Sequence, residues 1–308
     1  MKIAFAGTPK FGALVLGALL GSRHEVALVF TQPDRPAGRG LGLKMSPVKE
    51  LALKESLRVE QPEKISTPEW VGEMKSLGVK VLTVAAFGQI LRAPLLGGIP
   101  CINVHASRLP KYRGAAPIER AIMAGERNTG VTIMDITPAL DTGPIYLQRV
   151  VPITEEDDAG SIYEKLGRTG GEALAEVLDA IEAGGMEPEP QDESAATYIE
   201  KITAADMEIS FKRPAWKIAA QVRALSPHIG AFIKVGGLRL KVWKVMVAES
   251  APACAATAAP GEFVIEGERL FAVCGTGILE LVEVQPQGKR HMSAAEFLRG
   301  YRKTIEAA

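Results

Sequence analysis

The sequence predicts an α/β protein with a mostly parallel sheet, followed by a smaller all-β domain. In the first part of the chain, short apolar runs such as Lys2–Ala6 alternate with helical patterns such as Phe11–Leu20. This alternation is typical of a parallel sheet that helices cover on both faces. After Gly184-Gly185, the pattern changes to short β runs separated by glycine and proline. Such runs indicate a small barrel.

The first part contains further elements of both kinds. Apolar and β-branched runs predict strands at Val26–Phe30, Val79–Ala86, Cys101–His105 and Gly130–Asp135. Capping residues and helical spacing predict helices at Val48–Ser56, Pro68–Leu77, Pro117–Ala124 and Ser161–Ala183.

The second part begins after a segment without periodicity. Met186–Ser194 holds two prolines and four acidic residues, so we expect a linker there. We therefore predict a first domain over residues 1–187, a linker over 188–205 and a second domain over 206–308. The strands of the second domain are predicted at Ala231–Val235, Leu238–Val247, Glu262–Ile265, Leu270–Val273 and Ile278–Val284, and its helices near Pro214–Ala224 and Ser293–Arg302.

The composition is that of an ordinary soluble globular protein. The chain has 308 residues, of which 47% are hydrophobic and 23% charged, which excludes disorder, collagen and coiled coil for the whole chain. Three scattered cysteines are too few for a disulfide framework or a cysteine zinc site. Four histidines do not indicate a histidine-rich metal site either. No apolar stretch reaches the roughly 18 residues of a membrane helix. We therefore expect a cytoplasmic protein without a membrane partner.

Charge is unevenly distributed along a chain whose net charge is zero. Residues 1–205 contain 22 Lys and Arg against 26 Asp and Glu, a net of −4. Residues 206–308 contain 14 against 10, a net of +4. A basic second domain could hold a polyanion while the first performs chemistry, and ordinary surface variation explains the same counts.

Two glycine-containing segments come early in the chain. Gly7-Thr8-Pro9-Lys10-Phe11-Gly12 lies where a nucleotide-binding turn would lie, but its spacing matches neither common phosphate motif, which favours a tight strand-to-helix turn. The longer segment Thr31–Lys44 combines glycines, prolines and cations. Such a loop can follow a nucleic-acid backbone, or it can be a solvated flexible loop.

The end of the Cys101–His105 strand carries the most informative polar residues. Asn103 and His105 lie two residues apart and so share a face of the strand. The carboxyl ends of parallel strands are where open α/β sheets place their active sites. An amide and an imidazole can stabilise an oxyanion and move a proton, although a lone histidine is more often structural.

Two more residues near this strand end need an interpretation. Asp141, in Leu140-Asp141-Thr142-Gly143, follows another predicted strand and can reach the same crevice, where its carboxylate would orient His105 and favour imidazolium. An Asp-x-Gly sequence alone is also a common turn. Cys101 has apolar neighbours, which favours buried packing over a nucleophilic role.

Taken together, these segments resemble the methionyl-tRNA formyltransferase family over nearly the whole chain. The resemblance rests on Phe5–Pro9, Gln32–Gly40, Asn103-Val104-His105, Gly114–Ile118, Thr129–Met134, Leu140–Gly143 and Val242-Trp243-Lys244. It implies a Rossmann-like sheet with the formyltransferase fold, which binds 10-formyltetrahydrofolate, and a C-terminal OB-like barrel that binds tRNA. It also implies the activity, which is transfer of the formyl group to the α-amine of methionyl initiator tRNA for translation initiation.

The resemblance also assigns roles to residues of this sequence. Asn103, His105 and Asp141 would be the catalytic set. The folate pocket would be lined by Phe87, Gly88, Gln89, Ile90, Ser107, Leu109, Pro110, Gly114, Thr142 and Gly143. The acceptor stem and charged 3′ end of the tRNA would meet Arg35, Arg39, Lys44, Lys217, Arg223, Lys241 and Lys244. We expect no metal and a monomer.

Some positions depart from the family pattern, and other activities share its catalytic residues. Arg108 replaces a usual leucine, and Ser226-Pro227-His228-Ile229 replaces a usual Asn-Pro-Trp-Pro. A sugar-nucleotide formyltransferase or a formyltetrahydrofolate hydrolase could share Asn103, His105 and Asp141. The Arg35–Lys44 loop argues against both, because neither needs to bind a nucleic-acid stem. A non-catalytic tRNA-binding protein would lack the three catalytic candidates.

Overall fold

A computed structural model describes residues 1–37, 42–250, 252, 255 and 257–307. The chain forms two compact units. Unit 1 comprises Met1–Pro117, Asn128–Pro152 and Tyr163–Ile199, and unit 2 comprises Ile118–Arg127, Ile153–Ile162 and Glu200–Ala308. None of the described helices is long and apolar enough to cross a membrane.

Unit 1 is built on a seven-stranded sheet. Its strands are β1 (Lys2–Gly7), β2 (Glu25–Phe30), β5 (Val59–Glu60), β6 (Val81–Ala85), β7 (Cys101–His105), β9 (Asn128–Asp135) and β10 (Ile145–Pro152). The strand order is β10-β9-β7-β6-β1-β2-β5, and the five strands from β7 to β5 in this order run parallel to one another. Strands β9 and β10 are antiparallel additions beside β7. The predicted mostly parallel sheet is therefore confirmed.

Short strand pairs and helices complete this part of the chain. The pairs are β3 (Arg35–Ala37) with β4 (Gly42–Lys44), and β8 (Arg113–Gly114) with β11 (Tyr198–Ile199). The helices are α1 (Lys10–Leu20), α2 (Pro47–Lys54), α3 (Pro68–Ser76), α4 (Leu95–Gly98), α5 (Pro117–Ala124) and α6 (Ala159–Glu182). Of these, α5 from Ile118 onward and the start of α6 up to Ile162 belong to unit 2. The hydroxyls of Ser46 and Thr67 accept backbone N–H groups at the starts of α2 and α3, as their sequences predict.

Apolar side chains fill one face of the unit 1 sheet. Strand residues such as Phe30 and Leu82 are completely buried, and they pack with Met74 of α3 and Leu95 of α4. On α6, Gly170 and Gly171 lie so close to neighbouring elements that neither has room for a side chain. A Cβ at Gly170 would lie 2.8 Å from Val104 of β7. This close packing places α6 directly against β7.

Unit 2 is organised around an antiparallel sheet. Its strands are β12 (Ala231–Val235), β13 (Leu238–Val247), β14 (Phe263–Glu266), β15 (Arg269–Val273), β16 (Ile278–Pro286) and β17 (Met292–Ser293), in the order β12-β13-β16-β15-β14 with β17 beside β16. Two helices, α7 (Ala204–Met207) and α8 (Ala215–Leu225), precede these strands in the sequence, and α9 (Ala294–Glu306) follows them. Buried residues of α8 and α9, including Ile218 and Phe297, pack against this sheet. The predicted all-β second domain with two further helices is confirmed.

Candidate active site

Asn103 and His105 lie at the carboxyl end of β7, between β6 and β9. The imidazole of His105 is only 8% exposed, and Asn103 is half-buried. The strand direction follows from the parallel ladder with β6, so these two side chains stand where sheets of this type place their sites. The sequence predicts this placement, and the structure has it.

The two ring nitrogens of His105 face different acceptors. Nε2 lies 3.1 Å from the carbonyl oxygen of Tyr112, which can only accept, so Nε2 carries a proton. Nδ1 lies 3.7 Å from Oδ2 of Asp141, which is beyond a direct hydrogen bond. Nδ1 is therefore the ring nitrogen that faces the carboxylate and that can exchange a proton with a bound molecule.

Asp141 is held by the backbone around it. Its Oδ2 accepts the backbone N–H of Gly114 at 2.8 Å. The residue itself has φ +52°, in the left-handed region that non-glycine residues rarely occupy. Two residues later, Gly143 lies against Asp135, and a Cβ there would overlap the Asp135 carbonyl oxygen. The loop brings the carboxylate to His105, as the sequence predicts.

The loop after β7 is closed by internal hydrogen bonds. The buried Ser107 hydroxyl donates to the carbonyl of Lys111 at 2.7 Å. The Thr132 hydroxyl donates to the carbonyl of Ser107 at 2.7 Å and accepts from the backbone N–H of Leu109 at 3.1 Å. Gln148 donates to the carbonyl of Leu109 at 2.6 Å. These bonds fix the backbone of the predicted folate loop, in which Pro110 is half-buried.

The Phe87–Ile90 loop has an inner and an outer side. The Phe87 ring is buried, and its carbonyl accepts from the hydroxyl of Thr8 at 2.8 Å. The amide of Gln89 bonds to backbone groups, which include the N–H of Ile65 at 3.0 Å. Gly88 (φ +88°) and Ile90, which is 73% exposed, form the outer side. A ligand at this loop would meet the Gly88 backbone and the Ile90 side chain.

The segment from residue 189 to 199 lies within the predicted linker, and it contacts the loops of the site within unit 1. The backbone of Thr197 accepts from Arg113 at 2.8 Å, and its hydroxyl accepts from the backbone N–H of Tyr112 at 2.8 Å. Arg113 is completely buried and forms two hydrogen bonds to Glu193, at 2.7 and 2.8 Å. This pairing holds the pKa of Arg113 above its ordinary value and that of Glu193 below.

Gln191 also belongs to this arrangement, and sequence analysis did not identify it. Its amide bonds to Arg113 and to the backbone of the Asp141 loop. The one signal for it in the sequence is Arg113 itself, because an arginine in a loop that becomes buried needs acidic or amide partners.

The basic segment around residue 39 is described only at its ends. Arg35 and Lys44 are exposed on the β3–β4 pair, whereas Arg39 lies outside the described residues. At its base, Lys49 contacts the carboxylate of Asp34 and donates to Gln61 at 2.7 Å. The hydrogen bond from Lys49 lowers the pKa of Asp34.

The predicted tRNA contacts of unit 2 differ in their exposure. Lys217 is exposed, with its ammonium 5.3 Å from the ring centre of Trp216. Lys241 lies 4.8 Å from the ring centre of Trp243 and donates to a backbone carbonyl, and Lys244 is exposed. The guanidinium of Arg223 donates to two carbonyls of the 154–157 loop, and burial lowers its pKa. Arg223 therefore already has acceptors within unit 2.

Two other groups bear on the predictions. Cys101 is buried, and desolvation raises the pKa of its thiol to about 12, which agrees with packing and not with nucleophilic chemistry.

Within the described part of the chain, one set of side chains has metal-ligand spacing: His24, Asp179 and Glu182. Two of them pair with the guanidinium of Arg23. That the protein uses no metal stays a prediction.

Comparison with known proteins defines the class of this fold and site. Residues 1–178 match the formyl transferase family, and residues 201–302 match the formyl transferase C-terminal domain. The protein is thus a formyl transferase. It is 42% identical to the methionyl-tRNA formyltransferase of Methylococcus capsulatus, over 98% of this chain and 97% of that one. A second such enzyme, from Methylobacillus flagellatus, is 42% identical over 97% and 96% of the two chains. The chain belongs to the methionyl-tRNA formyltransferase family.

Solved structures share the fold at lower sequence identity. HypX from Aquifex aeolicus in complex with tetrahydrofolic acid has a TM-score of 0.66 and 18% identity, and it covers 99% of this chain. This chain spans 48% of the HypX chain. An N-formyltransferase from Helicobacter canadensis, in complex with folinic acid and dTDP-3-aminofucose, has a TM-score of 0.66 and 19% identity, over 91% and 98% of the two chains. At these identities the likeness concerns the fold alone.

Proposed function

We propose that this protein transfers the formyl group of 10-formyltetrahydrofolate to the α-amine of methionyl initiator tRNA. Membership of the methionyl-tRNA formyltransferase family supports the two substrates. The observation that carries the chemistry is the position of Asp141, whose Oδ2 lies 3.7 Å from Nδ1 of His105 at the carboxyl end of β7. Asn103 lies two residues from His105 on that strand. An amide, an imidazole and a carboxylate can together stabilise an oxyanion and move a proton, which are the two tasks in acyl transfer to an amine.

The proposed reaction proceeds through a tetrahedral intermediate. The methionyl nitrogen forms a bond to the formyl carbon, and the carbonyl electrons move to the formyl oxygen. Asn103 and protonated His105 donate hydrogen bonds to that oxyanion, and one such donor contributes about 2.7–4 kcal/mol in comparable sites. The bond from the formyl carbon to N10 then breaks as His105 gives its Nδ1 proton to N10, and Asp141 takes the proton that the amine loses and returns it to Nδ1.

The folate binds between the loops that surround these residues. Ser107, Leu109, Pro110 and Gly114 form one wall, and their internal hydrogen bonds keep it rigid. Gly88 and Ile90 form another wall at the outer side of the Phe87–Ile90 loop. Thr142 and Gly143 follow Asp141 and present backbone groups to the pterin. This arrangement needs no metal and no covalent enzyme intermediate.

The tRNA contacts come from cations in both parts of the chain. Arg35 and Lys44 lie on the β3–β4 pair. Together with Arg39, which comes between them in the sequence, they contact the acceptor stem near its first base pair. In unit 2, Lys217 and Lys241 stand beside tryptophan rings, a combination that suits single-stranded RNA. Lys244 and Arg223 complete the set. The protein acts as a monomer in the cytoplasm.

Product analysis tests this proposal. The purified protein is incubated with 10-formyltetrahydrofolate, with and without methionyl initiator tRNA, and the products are weighed by mass spectrometry. Formylmethionine that forms only with the charged tRNA is the expected result. Free formate without tRNA would instead identify a hydrolase. Formylation of an amino-sugar nucleotide in preference to the tRNA would identify the sugar enzyme.

A further inference from the structure

The carboxamide of Gln191 joins two loops of the candidate site. Its oxygen accepts from Arg113 Nη2 at 2.8 Å and from Nε at 3.2 Å. Its nitrogen donates to the carbonyl oxygens of Asp141 and Gly143, both at 2.8 Å. A carboxamide has two N–H donors and an oxygen with two lone pairs, so each of these positions is used. Turning the amide over would set N–H against guanidinium N–H groups and oxygen against carbonyl oxygens.

The position of Arg113 makes this link relevant to both titratable residues. Arg113 lies between Tyr112, whose carbonyl accepts from His105, and Gly114, whose N–H donates to Asp141. The Arg113 side chain is completely buried, so its orientation is fixed. Gln191 therefore connects the backbone that contacts His105 to the backbone that carries Asp141.

The Asp141 loop needs such support because of its conformation. A non-glycine residue at φ +52° is strained and persists only where its surroundings hold it. The two carbonyls that Gln191 bonds belong to this residue and to the second residue after it. The bridge between the backbones of Glu189 and Ile145, at 2.7 and 2.9 Å, anchors Gln191 from the other side.

We propose that Gln191 is a positioning residue, which holds the Asp141 carboxylate at its place beside His105. The role rests on the proposed function, in which Asp141 and His105 move the proton of the attacking amine. Gln191 contacts the backbone of Asp141 and Gly143, and its effect on catalysis is exerted through the position of the Asp141 carboxylate. Its loss should therefore matter only as long as the Asp141 carboxylate is present.

A double-mutant cycle tests this dependence. Gln191→Glu has nearly the same shape and keeps the acceptor for Arg113, but sets a carboxylate oxygen against the carbonyls of Asp141 and Gly143. We expect kcat for formyl transfer to fall by about 10- to 100-fold, because displacement of a reacting group by about 1 Å costs up to about 10²-fold. In an Asp141→Asn background, the same change should alter kcat by less than about twofold, because the carboxylate that it displaces is already absent, whereas independent effects would simply add.

A matched control comes from the same turn. Ser194→Ala removes an exposed hydroxyl that bonds to Asp192 and does not contact the Asp141 loop. It should leave kcat unchanged in both backgrounds. A readout that does not depend on turnover is the His105 ring Cε1–H resonance, which can be assigned among the four histidines with His105→Ala. It should move in Gln191→Ala and stay in place in Ser194→Ala.

The outcomes separate this proposal from the proposed function. If the wild-type protein transfers no formyl group while the His105 resonance moves in Gln191→Ala, the function fails and the positioning role stands. An equal loss of kcat in both backgrounds would show a merely structural role and overturn the proposal. A His105 resonance that does not respond to Gln191→Ala would overturn it as well, and so would an Asp141→Asn variant with wild-type kcat.

Discussion

The imidazole of His105 has its two nitrogens in unequal surroundings. Nε2 is bonded to the carbonyl of Tyr112, which fixes the ring plane. Nδ1 stands 3.7 Å from the Asp141 carboxylate, at a spacing that a substrate N–H or a water can bridge. A carboxylate that shares a proton path with a fixed imidazole suits an amine that must lose a proton during attack.

Asp141→Asn should separate the structural role of this residue from its catalytic role. The amide retains an oxygen for the Gly114 N–H but cannot take up a proton, so the loop should stay folded while catalysis suffers. We expect kcat to fall by about 10²- to 10⁴-fold, the usual contribution of a general base, with a much smaller change in KM. Steady-state kinetics with both substrates measures this effect. An unchanged kcat in the folded variant would remove Asp141 from the chemistry.

The catalytic candidates could be predicted from the sequence, and Gln191 could not. Asn103 and His105 lie two apart at the end of an apolar run, which fixes both their common face and their place at the sheet edge. Gln191 lies in a segment without periodicity, and its partners are 78, 50 and 48 residues away. A hydrogen-bonding partner at such a separation leaves no local pattern.

Among the elements, α6 illustrates a helix that is shaped for close approach. A Cβ at Gly171 would lie 2.5 Å from the Cβ of Ala18 and 2.7 Å from the carbonyl oxygen of Val15, both on α1. The apolar periodicity predicts this helix well. It does not predict the closeness of the contact, because the contact depends on which face of α6 meets α1.

A pair of glycine substitutions tests this packing. Gly171→Ala should lower the free energy of unfolding by about 1–3 kcal/mol, because overpacking forces α1 and α6 apart. The matched variant is Gly72→Ala in α3, where a Cβ would meet nothing within 4 Å. There we expect a gain of about 0.5–1 kcal/mol from helix propensity. Denaturant unfolding monitored by circular dichroism measures both, and a stabilised Gly171→Ala variant would contradict the close packing.

The ion pair between α5 and α7 in unit 2 predicts an acid dependence of stability. Arg120 donates to Asp206 at 2.6 and 3.0 Å, and this bond lowers the pKa of Asp206 to about 2. With an unfolded value of about 3.9, the contribution is complete above that pH and is lost as pH falls toward 2. Asp206→Asn should lower the free energy of unfolding by about 1–3 kcal/mol at neutral pH. It should also weaken the pH dependence of that free energy between about pH 4 and about pH 2.

Urea unfolding at a series of pH values measures this contribution. The control is Glu208→Gln, which removes one side of an exposed pair with Lys234. Exposed pairs contribute little, so this variant should resemble the wild-type protein. Equal curves for Asp206→Asn and the wild-type protein would show that the α5–α7 pair does not stabilise unit 2.

In the whole molecule, the basic part of the sequence and the second structural unit do not cover the same residues. The basic excess lies in residues 206–308, whereas unit 2 also takes in residues 118–127 and 153–162. Composition along the chain predicts a change of architecture near residue 185, and in the structure unit 1 continues to Ile199. The return of two earlier segments to unit 2 follows from tertiary contacts, which composition does not encode. The predicted boundaries at 187 and 206 stay a prediction.

We predict that Arg39→Ala weakens use of the tRNA while leaving use of the folate unchanged. Losing one phosphate or groove contact should raise KM for methionyl initiator tRNA and reduce the slope of log kcat/KM against log salt by about one. KM for 10-formyltetrahydrofolate should not change. Lys54→Ala, which removes an exposed cation on α2, is the control for net charge. Identical salt slopes for the wild-type protein, Arg39→Ala and Lys54→Ala would show that the Thr31–Lys44 segment is a solvated loop that does not contact the tRNA.

A single-turnover experiment tests most directly whether the end of β7 performs the transfer. Excess protein is mixed with ¹³C-formyl-labelled 10-formyltetrahydrofolate and methionyl initiator tRNA, and rapid quenching follows the label. Wild-type protein should pass the label to the methionyl α-amine. His105→Ala, with tetrahydrofolate binding intact, should do so about 10²- to 10⁴-fold more slowly. Transfer at the wild-type rate by His105→Ala would contradict this account.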